Sequence, residues 1–190
     1  MKYDTLNEER IVEQKKYEWI NKNNTTYGSS FHGKNITKLL LKEKENINSI
    51  ADIGTGRGEF CKWASLNLCK EVYGVDFAFD PYEYNKDKHI TYYKAFAHEL
   101  PLKDKQVDVL TSFDMLEHLV EEDVETVFEE FYRITKKLFI FSICTRDSTG
   151  FRGQLGTLHP TVKELDWWHN KISKYGEIKC YNEYTIVNLK

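Results

Sequence analysis

At 190 residues, with 41% apolar and 14% aromatic content, the chain is long enough to bury a full core as one domain, and its composition excludes a disordered chain. A net charge of −3 gives no electrostatic reason for an obligatory nucleic-acid partner. No apolar run reaches the length of a membrane span, the first residues lack the apolar centre of a secretion signal, and Cys61, Cys69, Cys144 and Cys180 form no Cys-x-x-Cys pair. The expectation is a cytoplasmic protein with four reduced thiols and no metal site.

Residues 6–22 read as a weakly amphipathic helix whose apolar members are Ile11, Val12, Trp19 and Ile20. Asn21 to Asn24 break it, and residues 25–30 are loop material. A second helix is expected over 33–43, with Ile36, Leu39 and Leu40 on one face. Strands and helices then alternate: a strand over 49–53, a helix over 57–69, and a strand over 71–76. Residues 77–88 contain Asp80-Pro81 and hold at most a short helix. Strands follow over 89–93 and 107–112. The clearest helix covers 120–135, where Val120, Val124, Val127, Phe128, Phe131 and Ile134 recur at steps of three and four. Glu121, Glu122 and Asp123 suit the positive end of its dipole. Residues 138–143 are apolar throughout, as a central parallel strand should be. Thr161 to Glu164 form a capping-box pattern, opening a helix with Val162, Leu165, Trp168 and Ile172 that Gly176 stops. Strands over 177–182 and 184–189 form a closing hairpin. The alternation predicts a parallel α/β sheet with one added antiparallel strand.

The stretch Asp52-Ile53-Gly54-Thr55-Gly56-Arg57-Gly58-Glu59 joins the first strand of this series to a helix, and the next strand ends in Asp76. A strand, a glycine turn, a helix and a strand ending in an acid form a site for a nucleoside-bearing cofactor. A tight turn with a surface acid is the bland alternative, weakened by Asp76 at the right spacing. A dinucleotide fingerprint wants a glycine at position 59, which is Glu59, and no phosphate-cradling Gly-x-x-x-x-Gly-Lys motif exists.

The stretch resembles motif I of the class I S-adenosylmethionine-dependent methyltransferases, of the type 11/23-like kind. The resemblance implies a doubly wound, mostly parallel seven-stranded sheet of order 3-2-1-4-5-7-6, strand 7 antiparallel, with helices on both faces. It implies S-adenosylmethionine as cofactor and S-adenosylhomocysteine as product. Cofactor contacts are then expected from Asp52, Gly54, Thr55, Gly56, Gly58 and Phe77, with Asp76 accepting from both ribose hydroxyls. Residues 95–102, Ala95-Phe96-Ala97-His98-Glu99-Leu100-Pro101-Leu102, resemble the family's adenine loop, which assigns Phe96 and Ala97 to the base. Phe96 stands where many relatives carry an Asp; it can stack on the purine or serve as core. Residues 107–119 resemble the strand-four motif with its Leu-Glu-His signature, which adds Phe113. The resemblance covers 49–143 and, more loosely, the last helix and hairpin.

Candidates for the acceptor side are Glu117 and His118, just past strand four, and His159 in the loop after strand five. The alternative for each is a local structural role. Arg146 and Arg152 sit in the glycine-bearing stretch 145–159 and could bind an anion or be ordinary solvated charges. Trp167-Trp168 reads as core. Residues 1–45 are expected as a helical cap within a single domain, with Tyr27, Ser29, Ser30, Phe31 and His32 able to cover the cofactor. No Asn/Asp-Pro-Pro-Tyr motif ends strand four, and Asp80-Pro81-Tyr82 is better read as a turn. No Pro-Cys dipeptide exists. The acceptor is therefore expected to be a small molecule, saccharide or protein. Alternatives are a non-catalytic cofactor-binding or scaffold domain and, against Glu59, a nicotinamide oxidoreductase.

Overall fold

The computed structural model describes residues 2–24, 26–78 and 87–190, with side chains from residue 8 onward. The Asp80-Pro81-Tyr82 turn and most of the stretch where a short helix was possible lie outside the described residues. The helices are α1 (Lys2–Asn23), α2 (Thr37–Lys42), α3 (Glu59–Asn67), α4 (Val124–Ile134), α5 (Arg152–Leu155) and α6 (Leu165–Ile172). The strands are β1 (Ser49–Ile53), β2 (Glu71–Asp76), β3 (Ile90–Lys94), β4 (Val107–Phe113), β5 (Thr135–Ser142), β6 (Gly176–Tyr181) and β7 (Tyr184–Leu189). They form one sheet of order β3-β2-β1-β4-β5-β7-β6. The first five strands pair in parallel, and β7 runs antiparallel to both β5 and β6. This is the expected order and direction.

Both faces of the central strands are buried, so consecutive residues feed different cores. Ala51, Leu110, Phe139, Phe141 and Val187 pack with α4 and α6, through Val127, Phe128, Phe131, Trp168 and Ile172. Ile50, Val109, Ile140 and Ile186 pack with α2 and α3, through Leu40, Phe60, Cys61 and Ala64. Each fully buried Val, Leu, Ile or Phe among these contributes about 1.5–3 kcal/mol. Trp168 is fully buried.

Several boundaries differ from expectation. The helix over 33–43 divides into a 3-10 turn, His32–Ile36, and α2. The strongest helix begins as a 3-10 turn over Glu121–Asp123, becomes α-helical at Val124 and passes directly into β5. β5 starts early because Thr135 pairs with Val107, and a bulge lets Leu138 pair with Val109. The capping box does not form: Glu164 is extended and caps nothing with its side chain, and the helix starts at Leu165. Thr161 is instead pinned to the turn after β4, its N–H donating to Glu117 O and its hydroxyl to Leu119 O. In α1 the buried face is Tyr17 and Ile20, while Ile11, Val12 and Trp19 are exposed. Among the described side chains of α1, a narrow stripe meets the rest of the molecule, and polar residues share it.

Candidate active site

The glycine turn sits at the carboxyl edge of the sheet, where β1 passes into α3. Gly54 N–H and Thr55 N–H both donate to Val75 O, at 2.8 and 3.1 Å. Gly56 N–H donates to Asp76 Oδ2 and Ala78 N–H to Asp76 Oδ1, each at 2.9 Å. The ends of β1 and β2 are thereby one unit. A side chain at Gly56, where φ is +54°, would stand 2.8 Å from Gly28 O, so the loop ahead of the 3-10 turn rests directly on the turn. Arg57 locks that loop: its N–H donates to Gly28 O, and its guanidinium donates to Tyr27 O at 2.8 Å and Asn24 O at 3.1 Å.

Asp52 is 4% exposed and accepts from the Thr111 hydroxyl at 2.7 Å. Burial pushes its carboxyl up to about 7, against the hydrogen bonds from Thr111 and Thr55. Beyond β2 and β3, the rings of Phe77, Phe96 and His98 form a stack, with centroids 5.6 and 5.3 Å apart. Phe96 is thus part of an aromatic wall rather than of either main core.

The other end of the site is built by the segments after β4 and β5. Glu117 is fully buried, and neither carboxylate oxygen has a hydrogen-bond partner of ordinary geometry. Burial, reinforced by the charge of Asp114, pushes its carboxyl up to about 8, while weak approaches from its own and Cys144's backbone N–H groups offset this only in part. One oxygen of Glu117, Cys144 Sγ and a ring nitrogen of His159 all lie within 4.8 Å of one another. The carbonyl of Arg146 can only accept, so His159 Nδ1, 2.6 Å away, carries a proton toward it. In the neutral ring Nε2 then bears the lone pair. His118 packs edge-on against His159, centroids 4.7 Å apart. Its Nδ1 faces Leu158 O at 2.6 Å and the Tyr17 hydroxyl, and burial brings its ring down to about 4.

α1 lies across the opening. Arg10 pairs with Asp123, Gln14 donates to Phe77 O at 3.4 Å, and Lys16 donates to Thr157 O at 3.0 Å. Tyr17, Ile20, Ala78 and Leu158 make a small apolar cluster under it. His32 pairs with Asp114 at 2.7 Å, closing the near rim.

These parts enclose a cavity of about 790 Å³. Asp52, Gly54, Thr55, Gly56, Asp76, Phe77, Phe96, Ala97 and Phe113 line it, as do Glu117, His118 and His159. Gly58 does not. Its φ is +79°, and a Cβ there would meet the Tyr92 hydroxyl at 2.4 Å, so this glycine admits a packing contact from β3. Among the expected covering residues, Tyr27, Ser30 and His32 reach the cavity, whereas Phe31 packs on Phe60 and Trp63. Arg146 reaches it; Arg152 does not, and pairs with Asp147 on the rim. Sequence reasoning passed over Arg10, Tyr17, Asp114 and Cys144, all on the wall. The positions of Asp114 and Cys144, just past two central strands, were a signal for them; Arg10 and Tyr17 carried none.

Residues 51–141 match the family described as "Methyltransferase domain". No curated protein matches the chain. Among solved structures, the PH0226 protein from Pyrococcus horikoshii OT3 is 19% identical with a TM-score of 0.68, over 83% of this chain and 89% of that one. An S-adenosylmethionine-dependent methyltransferase from Mesorhizobium loti is 16% identical with a TM-score of 0.64, over 85% and 98%. A phosphoethanolamine N-methyltransferase from Haemonchus contortus, in complex with phosphomonomethylethanolamine and S-adenosylhomocysteine, is 21% identical with a TM-score of 0.57, over 76% of this chain and 38% of that one. At these identities the likeness is one of fold.

Proposed function

We propose that this chain, which carries a class I S-adenosylmethionine-dependent methyltransferase domain, transfers the methyl group to a small-molecule acceptor held at the Glu117–His159 end of the cavity. The observation that carries this reading is the cavity itself. One continuous space joins the glycine turn and Asp76 to Glu117, Cys144 and His159, and α1 covers it. Its volume lies in the range of small-ligand sites, roughly 300–1,000 Å³.

The residues present fit the cofactor. A carboxylate has about four acceptor sites, and the two backbone N–H groups on Asp76 use one on each oxygen. Asp76 also lines the cavity, where its oxygens would meet a vicinal diol. Asp52, buried and lifted to about 7, would be held ionised beside a cationic group such as the cofactor's ammonium or sulfonium. Phe77 and Phe96 line the cavity and give a purine an aromatic wall to pack against. When bound, S-adenosylmethionine supplies an already electrophilic methyl group.

What the chain must then do is place and shield. α1 and residues 26–32 act as the cap, which restricts the entry of water and, with its latches closed, of a bulky polymer surface; α2, expected as part of the cap, packs in the core instead. Glu117 and His159 face the acceptor. His118, with Nδ1 committed to Leu158 O and Tyr17, is a positioning residue that fixes the 158–159 segment. The acceptor class favoured is therefore a small molecule, with a terminal sugar hydroxyl or a protein side chain requiring α1 to open. Four free thiols suit a reducing compartment such as the cytoplasm.

Calorimetry with S-adenosylmethionine and S-adenosylhomocysteine tests the cofactor half, and binding of neither overturns it. Radiolabelled methyl transfer into a cell extract, fractionated by size, tests the acceptor half. Label in the small-molecule fraction is expected; label confined to macromolecules would reject a small acceptor.

A further inference from the structure

We propose that Glu117, Cys144 and His159 form a binding site for a single divalent transition-metal ion of the zinc class, with the fourth position open to the cavity. The inference rests on the reading of this end as the acceptor site, and names how that end holds the acceptor.

Three observations meet here. The first is ligand chemistry. A carboxylate, a thiol and an imidazole, from three separate segments, bring one ligand atom each to within 4.8 Å of one another, and all three residues line the cavity. A mixed oxygen, sulfur and nitrogen set suits zinc, and a three-residue site with an open position is the pattern of reactive rather than purely structural zinc. Metal–ligand bonds of about 2.0–2.3 Å put tetrahedral ligands roughly 3.5 Å apart, so closure needs a contraction of about an ångström, within reach of side-chain rotation.

The second is the state of Glu117. Its side chain is fully buried, yet neither oxygen has a hydrogen-bond partner of ordinary geometry. Ionising a carboxyl so buried is costly, and a cation among its neighbours removes that cost. The third is the outer support. The Arg146 carbonyl holds the His159 Nδ1 proton at 2.6 Å, which turns the Nε2 lone pair away from that carbonyl and orients the ring as ligating histidines are oriented. The Cys144 thiol donates to the same carbonyl at 3.6 Å, a contact given up when the thiolate forms.

With Glu117 and Cys144 deprotonated, the two negative charges balance a divalent ion. The open position then takes an oxygen, nitrogen or sulfur atom of the acceptor, whose proton is released to water more readily there than in solution. The Glu117 and Cys144 protons likewise leave to water on binding. No electron transfer is involved.

The full-length protein, stripped of metal, is titrated with Co²⁺ alone and then with Zn²⁺ alone, in the absence of cofactor. One ion per chain is expected, with a thiolate-to-cobalt charge-transfer band. Cys144→Ser should abolish the band. His159→Gln and Glu117→Gln should each weaken zinc binding by more than the roughly 10–100-fold that loss of an outer-shell partner costs. A wild-type cobalt complex without the thiolate band overturns the proposal, as does binding unchanged in Cys144→Ser and His159→Gln. S-adenosylhomocysteine binding, measured on every variant, reports that the fold and the nucleoside half are intact. Cofactor binding without metal binding sinks the metal site alone; metal binding without cofactor binding sinks the methyltransferase reading instead.

Discussion

The Gly56 N–H donates to the Asp76 carboxylate at 2.9 Å, and this bond ties the end of β2 to the turn that follows β1. Asp76 therefore has two duties: it organises the turn and presents acceptor atoms to a ligand. Asp76→Ala is expected to weaken S-adenosylmethionine binding by one to two orders of magnitude, about 1.5–3 kcal/mol for charge-assisted hydrogen bonds. Asp76→Asn keeps one oxygen and should fall between. Calorimetry on both variants decides it, and equal affinity in Asp76→Ala and wild type would remove Asp76 from the site.

Gly58 carries a different burden from its neighbours. It is absent from the cavity wall, and its left-handed backbone and the Tyr92 ring leave no room for a Cβ. Gly58→Ala should destabilise the fold by about 1–3 kcal/mol, through strain and overpacking, as read by urea unfolding. Because the clash is with the Tyr92 hydroxyl, a double-mutant cycle with Tyr92→Phe should show coupling of at least about 0.5 kcal/mol. Strictly additive effects would place the strain elsewhere.

The sheet was legible because its information is local and repetitive. Apolar runs such as Leu138 to Ile143 mark buried parallel strands, and the Asp52–Gly58 turn with Asp76 marks the nucleoside end. What failed to be legible depends on partners distant in sequence. The Thr161-to-Glu164 pattern is a sound cap in isolation, but Thr161 finds Glu117 and Leu119 instead, and the helix starts later. Of the apolar residues of α1 only Ile20 marked the buried face; Ile11, Val12 and Trp19 are exposed, and Tyr17 and polar Arg10 make the other contacts. Glu117, Cys144 and His159 follow no spacing rule; three loops of the fold bring them together.

Asp52 links stability to pH. Its carboxyl is lifted to about 7 by burial, above the unfolded value near 3.9, so between these the folded chain holds a proton that the unfolded chain has lost. Stability from this group falls as pH rises from about 4 to about 7, and the full penalty persists above 7. Asp52→Asn keeps an oxygen for the Thr111 hydroxyl and removes the penalty. It should stabilise the apoprotein by about 2–4 kcal/mol at pH 8 and by almost nothing at pH 4. The same change should weaken cofactor binding at pH 8, since the paired negative charge is gone. Denaturant midpoints at the two pH values check the first statement; a midpoint difference of the opposite sign would refute it.

The Arg10–Asp123 pair sets how firmly α1 closes. Arg10 contacts Asp123 through both Nε and Nη2, and the side chains are only 20% and 5% exposed. Among its described residues, α1 docks through this pair, through Lys16 and Gln14, and through the small cluster around Tyr17. Arg10→Ala leaves Asp123 buried without its main partner, which is expected to cost more than the 0.2–1 kcal/mol of an exposed pair, about 1–3 kcal/mol. The loss should be local. Amide exchange in residues 8–23 should quicken by roughly 5- to 100-fold, given that 1.4 kcal/mol is a factor of ten, while β1, β4 and β5 keep their protection. S-adenosylhomocysteine should also leave faster from the variant, because the helix that covers the cavity opens more often. Uniform loss of protection across the sheet would mean that α1 is part of the cooperative core and not a separately opening cap.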